Sequence, residues 1–162
     1  MPDSYASSSY DHYLCLKPPL LLWLAVFYLS RGVTLPIAMA IGNFTGVDTQ
    51  ALTFFRGLWS VEALFPAAIS VIVLYAFIRR SPGASRPTRW IWAHGRVLLT
   101  ASAGLDIVLA LFGPIQHWEI NDQAVLALCT AVADLYFLAY ILAVKRVRDT
   151  FAEFPILDSA GK

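Results

Sequence analysis

Residues 123–144 read QAVLALCTAVADLYFLAYILAV, an apolar run with one charge in it, Asp134. The run predicts one membrane helix, from about Gln123 to Val144. Crossing a bilayer core takes about 20 predominantly apolar residues, and this stretch has that length. Three further apolar stretches, at about 18–41, 58–78 and 91–113, extend the pattern along the chain. Each carries an ionisable residue where hydrocarbon would surround it: Arg31, Glu62 and Asp106. The expected fold is therefore all-α, an integral membrane bundle of four transmembrane helices.

Composition agrees with that class. Of 162 residues, 58% are hydrophobic and 14% charged, with mean hydropathy +0.62, whereas soluble domains carry about 25% charged residues. Four spans take about half the chain, leaving short tails and loops and no room for a second soluble domain. The expected organisation is a cytoplasmic tail at 1–17, a transmembrane domain at 18–144 and an interfacial tail at 145–162.

Basic residues set the orientation. Arg79, Arg80, Arg86, Arg89 and Arg96 cluster between the second and third spans, and Lys145, Arg146 and Arg148 follow the fourth, while the other two loops hold only Arg56. The positive-inside rule puts the basic loop and the C-terminus in the cytoplasm, and four spans then bring the N-terminus there too. Trp90 and Trp92 are expected to anchor span 3 at the inner interface, and Trp118 to mark the outer one. Pro66 is expected to kink span 2. In the first loop, Asp48 is positioned to cap a short interfacial helix from Thr49 to Arg56.

A charge at membrane depth is costly and normally faces another helix or a water-filled cavity. Helical spacing puts Ser102, Ala103, Asp106 and Ala110 on one face of span 3, and Ala124, Ala127, Ala131 and Asp134 on one face of span 4. Small residues let membrane helices approach closely, so spans 3 and 4 are expected to pack along these stripes with both acids inward. Arg31, which shares its face with Tyr28 and Thr34, lies near the same depth as Asp134, making these two the best-matched pair. Asp106 falls nearer the outer face, and Glu62 lies about one turn inside the outer end of span 2. Such a cluster reads either as ion pairing that fixes helix register or as a polar pathway or partner-docking site. In the final tail, Arg148 and Asp149 interleave with Phe151 and Phe154, the pattern of an interfacial or docking segment.

Catalytic and cofactor signatures are missing. The chain has no P-loop, dinucleotide-binding glycine fingerprint, HExxH or GxSxG. His12, His94 and His117 fall on both sides of the membrane under this topology, so no metal site is expected. Cys15 and Cys129 form no CxxC pair; Cys15 is expected as a free thiol and Cys129 as a small packed side chain. No cofactor, no enzymatic activity and no nucleic-acid partner are expected. The expected partners are membrane lipid and a membrane protein, either a different chain or further copies of this one.

Several segments together carry a family resemblance: Tyr10-Asp11, Leu16-Lys17-Pro18-Pro19-Leu20 leading to Trp23 and Ser30-Arg31, then Asp134, and finally Arg148-Asp149-Thr150-Phe151 with Glu153-Phe154-Pro155. The chain resembles the YfeZ-like proteins, small bacterial inner-membrane proteins grouped under a domain of unknown function. The likeness spans most of the chain and is loosest over about 42–95. It implies a multi-pass bacterial inner-membrane location and draws Lys17, Arg31 and the 148–155 segment into the family pattern. It implies no mechanism. The functional expectation is a non-enzymatic accessory or scaffold subunit of an inner-membrane assembly. The alternative is a small oligomeric transporter or proton pathway lined by Arg31, Asp106 and Asp134.

Overall fold

The computed structural model describes residues 5–11, 13–46, 61–112 and 122–155. Among them are seven α-helices and no strand: α1 Leu20–Leu29, α2 Arg31–Thr45, α3 Leu64–Ile78, α4 Arg86–Ala93, α5 Gly95–Phe112, α6 Asp122–Ala143 and α7 Lys145–Ala152. A 3₁₀ turn at Ser7–Ser9 and an isolated antiparallel bridge between Tyr10 and Leu16 fold the N-terminal segment back on itself.

The expected first span, 18–41, is two helices rather than one. α1 and α2 meet at Ser30 with a 77° bend. The Ser30 hydroxyl donates to the Val26 carbonyl at 2.7 Å, the carbonyl that already accepts the Ser30 N–H at 3.0 Å. Such back-bonding bends helices. Beyond the bend, Gly32 lies against the start of α3, where a Cβ would sit 2.1 Å from the Ala63 carbonyl oxygen. Only glycine permits that approach. Pro36 lies inside α2, four residues beyond Gly32, and its ring cannot accommodate the usual bond to the Gly32 carbonyl. α2 closes on Gly46 in the left-handed conformation, φ 72°, with its N–H on the Gly42 carbonyl.

The second and third spans also differ from expectation. α3 starts at Leu64 after the N-cap Ala63, so Pro66 is its third residue, in the first turn where a missing N–H costs nothing, and it does not kink the middle of the helix. Residues 58–60, the expected beginning of that span, lie outside the described residues, as do Thr49–Arg56, residues 113–121 with His117 and Trp118, and His12. The third span is divided at His94 into amphipathic α4 and apolar α5. Gly95 begins α5 against the Phe151 ring, whose Cε1 lies 2.4 Å from where a Cβ would be.

By length and composition, α5 and the Val125–Ala143 part of α6 are each able to cross a membrane, and the bent α1–α2 pair makes a third candidate if it counts as one span. α3 is apolar but has 15 residues, about 22 Å of helix against a core of about 30 Å. α5 and α6 form the most extensive helix pair, and α3 packs on α1, α2, α4 and α5. The densest packing is at one end, where Phe77, Trp92 and Phe151 meet with ring centroids 5.1–5.8 Å apart. Trp92, expected at the interface, is only 1% exposed and belongs to this core, while Trp90 is exposed and stacks on His94 at 4.5 Å. Toward the other end, large apolar side chains face outward, among them Phe44, Phe65 and Phe112.

Candidate functional site

Arg31 is the first residue of α2, so the bend at Ser30 aims its side chain across the bundle toward α5 and α6. Its Nη1 donates to Asp134 Oδ1 at 3.1 Å and its Nη2 to Asp134 Oδ2 at 3.1 Å, a two-pronged carboxylate clamp. Nη2 also contacts Asp106 Oδ2 at 2.8 Å. The side chains are 14%, 0% and 10% exposed for Arg31, Asp134 and Asp106. One guanidinium therefore ties together three separate helices, α2, α5 and α6.

Tyr28, one turn earlier on α1, completes the cluster. The Arg31 guanidinium carbon sits 4.3 Å from the Tyr28 ring centroid, a cation–π contact that strengthens when desolvated. The Tyr28 hydroxyl donates to the Thr130 carbonyl on α6 at 3.1 Å, and its ring packs 5.1 Å from Phe137. Both sides of the Ser30 bend are thus fastened to α6.

Glu62 stands apart. It is exposed in the turn before α3, and among the described residues no ion pair joins it to the cluster. The small-residue stripes divide as well. Ala131 and Ala103 are buried and Ala110 and Ala127 half-buried, whereas the side chain of Ala124 lies outside the described set. Ser102, expected against span 4, turns to α3 instead: its hydroxyl is 2.6 Å from that of Ser70 and 2.8 Å from the Pro66 carbonyl. Proline at 66 and serine at 70 are apolar-run interruptions visible in the sequence, but helical period alone does not reveal which neighbour a polar group will meet.

A second polar network, at the Trp92 end, joins the two tails. Arg80 Nη1 donates to the Leu16 carbonyl at 2.9 Å and Nη2 to the Glu153 carbonyl at 3.3 Å. Its guanidinium lies 4.5 Å over the Trp92 ring and 3.9 Å from Asp11. Trp92 Nε1 donates to the Glu153 carbonyl at 2.9 Å, the Leu16 N–H to Glu153 Oε2 at 2.7 Å, and the Tyr5 hydroxyl to Asp149 at 2.9 Å. Burial draws the Arg80 pKa below its ordinary value, opposed chiefly by Asp11. Cys15 is a free thiol, as expected, and is buried here, whereas Cys129, expected to be packed, is exposed on α6. Burial pushes the Cys15 thiol up, against the pull of Arg80.

The remaining basic-loop residues play different parts. Arg89 donates to the Pro82 carbonyl at 2.7 Å and lies 5.7 Å over Phe154. Arg96 donates to the Ile141 and Leu142 carbonyls at the end of α6, at 3.1 and 2.7 Å. Arg79 and Arg86 are exposed. In the tail, Phe151 is 4% exposed in the core, Phe154 packs 6.2 Å from Trp92, and Arg148 lies 3.6 Å from Asp149.

These features define an all-helical protein with two or three membrane-length apolar helices and a buried ion cluster at a helix break. The family described as Protein of unknown function (DUF2919) matches residues 5–153, and the chain belongs to it. No curated protein and no solved structure matches the chain.

Proposed function

We propose that this protein is a non-enzymatic accessory or scaffold subunit of a larger bacterial inner-membrane assembly, with four spans and both termini in the cytoplasm. The observation that carries this reading is the Arg31 cluster. Its guanidinium is held by two acids and an aromatic face, all from neighbouring helices of the same chain. Buried ionic groups of this kind are best attested as devices that specify register. A pinned bundle with apolar outer faces suits a subunit that holds or meets other membrane helices. The YfeZ-like resemblance and the clustering of arginines at one end support inner-membrane placement and a cytoplasmic basic side.

A second reading, a small oligomeric transporter or proton pathway, is favoured by one feature: the 77° break lies immediately beside the charged cluster. Discontinuous helices with ionisable residues at the break recur at transport sites. The test is native mass spectrometry of the protein tagged at its own locus and gently extracted from its own membrane. A stoichiometric second protein is expected. Its absence, together with a proton or solute flux that Asp134→Asn abolishes at unchanged abundance, would replace the scaffold with the pathway.

A further inference from the structure

Where α6 ends and α5 begins, the surface opens into a cavity of about 290 Å³ lined by Arg96, Leu142, Ala143, Val144, Lys145 and Arg148. Half of its lining residues are cations and none is an acid. The end of a helix normally presents unpaired carbonyls and a negative partial charge. Here Arg96 already occupies the Ile141 and Leu142 carbonyls. Those bonds use two of the five N–H groups of its fork. Arg148 is 61% exposed, and Asp149, 3.6 Å from its Nε, also accepts the Tyr5 hydroxyl. The cavity is therefore walled by positive charge, with Leu142, 51% exposed, on its apolar side.

Its position is specific. Among the described residues, α5 and α6 are the two single helices long and apolar enough to cross a membrane, and the cavity sits at the end they share. With these helices spanning a bilayer, as proposed above, that level is a headgroup layer in either orientation. We infer that the cavity binds a phosphate group through Arg96, Lys145 and Arg148, carried by an anionic phospholipid or by a soluble phosphate. Guanidinium groups match phosphate oxygens in two-pronged geometry, and lysine adds a point charge. Basic pockets between membrane helices are suited to phosphorylated headgroups.

The test compares wild type with Lys145→Gln/Arg148→Gln, which removes two exposed charges and leaves Arg96 on its carbonyls. Arg79→Gln/Arg86→Gln removes equal charge from exposed sites elsewhere and serves as the control. Native mass spectrometry after reconstitution in mixed phosphatidylglycerol and phosphatidylcholine reads lipid retention. Thermal midpoints with inorganic phosphate or glycerol 3-phosphate read the soluble source. About a tenfold loss of phosphatidylglycerol occupancy is expected in the cavity variant and less than twofold in the control. A phosphate-dependent rise in midpoint without lipid retention assigns the site to the soluble ligand. Equal losses in both variants, or no binding of either probe by wild type, would overturn the inference. If the cavity variant's unliganded midpoint falls, Arg148→Gln alone carries the comparison, with Arg148→Lys expected to retain the ligand.

Discussion

Removing Arg31 is expected to harm the protein more than removing either acid, and the geometry sets the difference. In Asp134→Asn the side chain keeps its shape and an oxygen able to accept from Arg31 Nη1, while Asp106 remains 2.8 Å from Nη2. The loss is one charged hydrogen-bonding interaction, about 1.5–3 kcal/mol. Arg31→Gln instead leaves Asp106 and Asp134 facing each other without a cation, although both contact the same nitrogen in the native protein. Breaking a buried pair in that way costs about 3–5 kcal/mol. Once Asp134 is already Asn, the same Arg31→Gln change strands one acid rather than two. The double variant should therefore be less destabilised than the sum of the singles by about 1–2 kcal/mol. Unfolding of the purified protein by SDS titration in mixed micelles, followed by tryptophan fluorescence, measures all four corners of this cycle. An Arg31→Gln cost no larger than that of Asp134→Asn, or strictly additive singles, would refute the ion-cluster account.

Gly32→Ala should destabilise by about 3 kcal/mol, because its Cβ meets backbone of Ala63 that has no side chain to move aside. Gly104→Ala, with nothing within 4 Å, should be neutral or stabilising by up to about 1 kcal/mol in the same titration. Arg80→Gln forfeits two carbonyl contacts and the Trp92 face, about 2–3 kcal/mol, so amide exchange over residues 5–19 and 145–155 should quicken while α5 and α6 keep their protection. The Cys15 thiol, raised by burial, forms its reactive thiolate at higher pH than an ordinary thiol. At pH 8 in the native protein its maleimide labelling should lag a free-thiol standard, the gap narrowing as pH rises and closing on denaturation; native labelling at the standard's rate would count against a buried Cys15.

The sequence and the structure part company where distant neighbours decide local shape. Helical period placed Arg31 and Asp134 at one depth and Asp106 nearer the outer face, whereas in the structure all three side chains meet. The absence of glycine and proline over 122–143 explains why α6 is one helix. Ser30, Gly32 and Pro36 all lie within 18–41, but the pattern does not show that the Ser30 hydroxyl will back-bond to Val26, or that Gly32 will meet the backbone of Ala63, far along the chain. Ser102 shows the same limit: period gives a face, but Ser70 on α3 supplies the partner. Trp92 and Trp90 stand two residues apart with similar flanks, yet one is core and the other surface. What separates them is the arrival of Phe151 and the Glu153 carbonyl from the end of the chain. The tail network was equally hidden, since its bonds span up to 144 positions.

The Arg31 cluster also imposes an order of events during synthesis. Arg31 leaves the ribosome first, and its two-pronged partner Asp134 follows 103 residues later. At cellular rates of elongation that interval is about 5–20 s. Until Asp106 is made, the arginine has neither of its acids, and until Asp134 is made it lacks its two-pronged partner; α1 alone is about 15 Å long, half a bilayer core. The segment's final seat is thus set by the arrival of α5 and α6 rather than by its own hydrophobicity. A chain stalled before Asp134 would hold α1 and α2 without the clamp that fastens them to α6.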